Sequence, residues 1–260
     1  MATGRVPADG RIVGVSPAST GMPTASPTAG RPGSKKRYVN QVGSDGWLRT
    51  RDEATGSFLF LTKYTAVSMI DAREGRTTFK VLDGPHRHRV LSLTDANARS
   101  HLGLMAPDPT PAQITVTYGA YTPGWVSVAR GGEQLDQQLA VLDVGRLSVA
   151  VTMNSVWGTG FFPLPKGVYD VLLPDAPHKA GMTRFYRVTE PSLHADQVWF
   201  PIRFGNNSRY VHVGNVSDGC VTVLDLARWA DVHEALLRHR SADGLGVGHL
   251  TVQGTPGRVR

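Results

Sequence analysis

The chain has 260 residues, 40% hydrophobic and 19% charged, with one cysteine and a formal net charge of +7. That length and composition allow one large or two small globular domains, and a lone cysteine excludes an intramolecular disulfide. The positive charge favours anionic partners such as nucleic acid, acidic lipids or cell-wall polymers. No zinc-knuckle spacing and no helix with a concentrated basic face accompanies it, so no nucleic-acid partner is expected. With 29 glycines and 17 prolines, turns are frequent and a β-rich architecture is favoured over a helical bundle.

The first ten residues contain no apolar run, so no secretory signal peptide is expected. Residues 1–37 are rich in Ala, Gly, Pro, Ser and Thr, cannot bury enough surface to offset ordering, and are expected to be a disordered tail. Between 38 and 105 a small β-containing domain is expected. Its strands are Ser57–Tyr64, Thr77–Leu82 and Val90–Leu93, with turns at Glu74-Gly75 and Asp83-Gly84-Pro85. Thr94 or Asp95 caps a short helix with Ala96–Leu104 as its body. Apolar runs such as Phe58–Leu61 are too short to span a bilayer, so no integral membrane segment is expected. Pro107, Pro109 and Pro111 mark the domain boundary.

From 106 to 260 strands recur quickly: Ile114–Tyr118, Trp125–Val128, Gln138–Leu142, Leu147–Thr152, Gly167–Leu173, Trp199–Phe204, Arg209–Val213 and His249–Gln253. One convincing helix follows Cys220. Asp225 is its expected cap, and Leu226, Trp229, Ala230, His233, Leu236 and Leu237 recur at helical spacing. The fold class is therefore mainly β, a sandwich or barrel with one helix behind the cysteine. His86 and His88 lack a carboxylate or thiol nearby, and neither a metal site nor a cofactor is expected.

The segment from Arg209 to Val223 carries the chemistry. Strand alternation puts Tyr210, His212 and Gly214 on one face and Val211 and Val213 on the other, so His212 faces a cleft if the valines face the core. Asn215-Val-Ser-Asp-Gly is a turn, and Gly219 lets the backbone approach a ligand closely. Cys220 is then either a buried small hydrophobe or a nucleophile, with His212 as its base and backbone N–H groups near Gly219 as oxyanion donors. Such a pair would form a thiolate–imidazolium couple. Asp218 either orients the imidazole or completes the turn, and Ser217 is either a site hydroxyl or a turn residue. Trp199 and Tyr210 belong to the cleft wall or the core.

Ser217-Asp-Gly-Cys220, preceded by the strand histidine and by Gly160-Phe-Phe-Pro-Leu-Pro-Lys-Gly-Val-Tyr-Asp-Val171, resembles the catalytic domain of L,D-transpeptidases (YkuD-type) over residues 140–240. The resemblance implies Cys220 as nucleophile, His212 as base, and Ser217 and Gly219 as the matching motif residues. The family motif is Ser-His-Gly-Cys, then a hydrophobic residue and Arg. Asp218 and Thr222 replace the His and the Arg, and the shorter His-to-Cys spacing is similar to the branch of type VI secretion effectors. Arg203 or Arg209 would substitute for the missing arginine in binding substrate carboxylate, with Tyr210, Asp218 and His178 as further substrate contacts. The implied function is cysteine-dependent acyl transfer on peptidoglycan stem peptides in the cell envelope or periplasm, reached through a specialised secretion system. Two alternatives stay open: an effector toxin acting as an L,D-carboxypeptidase, with an immunity protein as partner, and a decayed cell-wall or phage binding module.

Overall fold

A computed structural model describes residues 35–127, 131–157 and 160–258. The expected tail lies outside them, except that Lys36 and Arg37 belong to a strand. The described residues from Lys35 onward form one compact unit built on two sheets, and the fold is mainly β.

The first sheet uses β1 (Lys36–Val39), β2 (Trp47–Asp52), β3 (Phe58–Thr62), β4 (Ala66–Arg73), β5 (Arg76–Val81), β6 (Val90–Thr94) and β7 (Leu102–Gly103). Their spatial order is β3-β2-β6-β5-β4-β1-β7. On β5, Thr77, Phe79 and Val81 are buried while Lys80 is exposed, the alternation of a sheet with one wet face. Leu91 and Leu93 of β6 join Phe79 and Val81 in a core closed by Ala98 of α1 (Asp95–His101). Thr94 caps α1, accepting the Asn97 N–H.

The second sheet is a closed barrel. It uses β8 (Ala112–Ser127), β9 (Glu133–Val144), β10 (Leu147–Asn154), β11 (Gly167–Leu172), β12 (Phe200–Ile202), β13 (Arg209–Val213), β14 (Val221–Val223) and β15 (Gly246–Gln253). Around the barrel they run β10-β14-β13-β12-β11-β15-β8-β9. Two neighbouring pairs are parallel, β13 with β14 and β15 with β8. The strand expected at Ile114–Tyr118 and the one expected from Trp125 form one long β8, which passes Pro123-Gly124 with irregularities against β9; Val128, the expected end, lies outside the described residues.

α2 (Trp229–Leu237) covers one side of the barrel with Trp229, Val232, Leu236 and Leu237 buried. Asp225 does not cap it. Asp225 precedes a 3₁₀ turn at Leu226–Arg228, and Arg228 stands at the α2 N-terminus without a side-chain cap. The passage at Pro107–Pro111 leads from sheet to barrel, and the two share a seam. Lys63 pairs with Glu234 of α2 at 3.0 Å, the Tyr64 hydroxyl donates to the same carboxylate, and buried Arg240 pairs with Asp83 at 3.1 Å. Trp47 and Tyr64 belong to the barrel's core cluster.

Candidate active site around Cys220

Strand alternation sets the site. Val211 and Val213 point into the barrel core, so His212 between them points outward. The parallel register sets His212 opposite Thr222 and Val211 opposite Val221. Cys220 immediately precedes β14, and the Tyr210 backbone N–H is directed at its sulfur. A cavity of about 330 Å³ opens here, lined by Arg209, Tyr210, His212, Asp218 and Cys220 on one side. The opposite wall comes from the segment between β11 and β12, through Met182, Phe185, Tyr186 and Trp199.

The connection Gly214–Cys220 is held at both ends. The Tyr186 hydroxyl donates to the Asn215 side chain and accepts the Asn215 N–H at 2.9 Å. Gln137 donates to the Asn215 carbonyl at 2.8 Å, and Asn215 Nδ2 donates to the Ser127 hydroxyl. Ser155 Oγ accepts the Ser217 N–H at 2.7 Å. Ser217 Oγ turns back to the Cys220 carbonyl at 2.8 Å, so it braces the turn and does not line the cavity. Gly219 has φ +89°, and a Cβ there would lie 2.3 Å from the Phe162 carbonyl oxygen and 2.7 Å from the Arg209 guanidinium carbon. That crowding is why glycine stands before the cysteine.

Arg209 is buried, donates to the Asp218 carbonyl, and lies over Phe161 and Phe162 at 5.9 and 5.6 Å. No carboxylate of the described residues lies within ion-pair distance of it. Arg203 is elsewhere, paired with Asp170 at 2.8 Å on the barrel's exposed surface. Of the two arginines expected to take a substrate carboxylate, only Arg209 reaches the cavity.

His212 is 5% exposed and Cys220 6%. His212 Nδ1 faces the Val213 carbonyl at 2.9 Å. A carbonyl only accepts, so Nδ1 carries the proton and Nε2 is the basic nitrogen. Its partner is the Thr222 hydroxyl at 3.0 Å. No hydrogen bond joins His212 to Cys220. Burial drives the His212 imidazole down to about 4, with the nearby His178 pushing the same way and the Val213 carbonyl opposing. Burial also drives the Cys220 thiol up to about 11, against the Tyr210 backbone bond and the Arg209 charge. The resting pair is therefore neutral, in place of the thiolate–imidazolium couple expected from sequence.

His178 reaches the site through an aromatic stack. Its ring lies 3.9 Å from Trp199 at 11°, and Trp199 lies 3.9 Å from His212 at 12°. Tyr210 meets the edge of His178 at 4.8 Å. The sequence marked Thr222 only as the replacement of the motif arginine and Trp199 only as cleft wall or core, and assigned neither as a contact of His212. Among the described residues, no group of three or more His, Cys, Asp or Glu side chains is placed to hold a metal ion. The chain matches no protein-family model, and no curated protein or solved structure is significantly similar to it.

Proposed function

We propose that the protein performs cysteine-dependent acyl transfer on peptidoglycan stem peptides, in the manner of an L,D-transpeptidase. The observation that carries this is the convergence of Cys220, His212 and Arg209 on one open cavity. Arg209, buried without a carboxylate of its own, takes the substrate carboxylate. As substrate seats, Thr222 yields the Nε2 lone pair. His212 removes the thiol proton while Sγ attacks the peptide carbonyl carbon. Among the described residues, no backbone carbonyl outside the sheet ladder takes the N–H of Gly219 or Cys220, and on this reading these two N–H groups hold the oxyanion. Collapse breaks the C–N bond, and the departing amine takes the proton from His212. A thioester remains on Cys220. An acceptor amine attacks it, His212 takes that amine's proton, and the thiol is restored.

With water as acceptor the same site is an L,D-carboxypeptidase, the activity suited to an effector toxin whose immunity protein would occupy the cavity. The substrate lies in the cell envelope, so the reading requires export. A second reading, a binding module that has lost its chemistry, is favoured by Thr222 holding Nε2 and by burial that keeps the thiol protonated.

Incubation with purified muropeptides, followed by mass spectrometry, separates these. Wild type should release the terminal D-amino acid, exchanging it or cross-linking when an amine is supplied, and Cys220→Ala should not. Release that survives Cys220→Ala overturns the mechanism. Binding without conversion by either protein establishes the module.

A further inference from the structure

One face of the first sheet packs on the barrel at one end, through Trp47 and Phe60, and beyond that end carries charge and apolar surface that the cysteine site does not use. Directly opposed residues in antiparallel strands share a face. Arg51 of β2 is opposite Phe58 of β3 and Ser92 of β6, and Ser92 is opposite Thr78 of β5. Two residues along each strand lie Arg49 on β2, and Arg76 and Lys80 on β5, so all four cations share this face. Among the described residues, none of the four has a carboxylate within ion-pair distance. Arg76 is hydrogen-bonded to Ser92, and Arg49 lies 3.5 Å from the Phe58 ring centroid. The carboxylates nearby are Glu53, bonded to Ser92, and Asp71, already paired with Arg73.

The most exposed apolar residues of the sheet lie on the same face. Phe58 is opposite Arg51, Val90 is opposite Lys80, and Ile70 sits at the irregularity of β4, two residues beyond Ser68. Phe58 and Ile70 are about half exposed, at 52% and 50%. A soluble polyanion needs cations alone and gains nothing from such side chains. A bilayer with anionic headgroups uses both, charge at its surface and apolar tips at the headgroup boundary.

We propose that this face is a peripheral docking surface for an anionic lipid bilayer. The attachment is reversible. Each basic residue near an anionic leaflet contributes only about 1 kcal/mol, and no helix of the described residues is long and apolar enough to cross a membrane. The proposal stands independently of the cysteine chemistry.

The test is co-sedimentation of the full chain with vesicles of phosphatidylcholine, with and without phosphatidylglycerol. Binding should require phosphatidylglycerol and weaken as salt rises. Reversing Arg49 and Arg51 together to Glu should weaken it about 30-fold or more. The matched reversal of Arg146 and Lys166, exposed on the barrel, should leave it within a few-fold. Phe58→Ser should reduce vesicle binding several-fold and leave binding to soluble polyphosphate unchanged. All variants are at exposed positions, and circular dichroism verifies their folding. The proposal fails if wild type ignores phosphatidylglycerol vesicles, if both double reversals lose equally, or if Phe58→Ser weakens polyphosphate and vesicles alike.

Discussion

Burial decides the protonation of Cys220 and His212 before any substrate arrives. With the thiol near 11, about one Cys220 in ten thousand is ionised at pH 7. Alkylation of native protein by iodoacetamide should therefore accelerate about tenfold per pH unit from 7 towards 10, with Cys220→Ala as blank. A plateau reached below pH 8 would mean that an ion pair forms at rest after all. Gly219 is the tightest point of the turn. Gly219→Ala forces a side chain against the Phe162 carbonyl at a positive φ and should cost about 2–4 kcal/mol, read by chemical denaturation. Much of this site was legible in the sequence, because alternation along Arg209–Val213 and the glycine before Cys220 are local signals. Thr222 on Nε2 and Trp199 between two imidazoles were not. Those contacts arise from the lateral pairing of β13 with β14 and from the fold of the preceding segment, which no local pattern encodes.

Between strands, the cysteine turn depends on Asn215, which holds the Tyr186 and Ser127 hydroxyls and the Gln137 amide together inside the protein. Asn215→Ala removes the side chain that meets both hydroxyls. It should cost about 2–3 kcal/mol, lowering Tm by about 4–10 °C in a domain of this size. Differential scanning fluorimetry checks this, and an unchanged Tm would show that the turn is held elsewhere. At this scale the sequence was partly readable. Arg209–Val213 and Thr77–Leu82 alternate cleanly and were found nearly to the residue. β2 was missed because its core-facing side includes Thr50 and Asp52, buried polar residues that blur the pattern. β14 was missed because three residues are too few to show a period. The break at Pro123-Gly124 suggested two strands because neither residue suits a strand interior, yet β8 absorbs both at its irregularities.

Across the whole molecule, buried imidazoles govern acid stability. His212 and His233 are each pushed down to about 4 by burial, against about 6.5 when unfolded. Their folded pKa values are depressed, so the unfolded chain binds protons first as pH falls. Stability is full above about pH 6.5 and is lost progressively down to about 4, by up to about 3 kcal/mol per group. His233 packs by Phe200 and Trp229 with its buried Nε2 unpartnered. His233→Leu should therefore flatten the fall in urea midpoint between pH 6.5 and 4 and leave the midpoint at pH 7.5 equal or higher. An unaltered acid limb would assign the loss to other groups.

The barrel closes through β15, the last strand described, which lies between β11 and β8 and runs parallel to a segment more than a hundred residues earlier. Contacts of such separation form late, after the intervening chain has been laid down. The residues that line the Cys220 cavity are all laid down by the time Cys220 itself is made, whereas the barrel that carries them stays open until β15 docks. The cysteine turn therefore depends for its lasting shape on a strand that it does not touch.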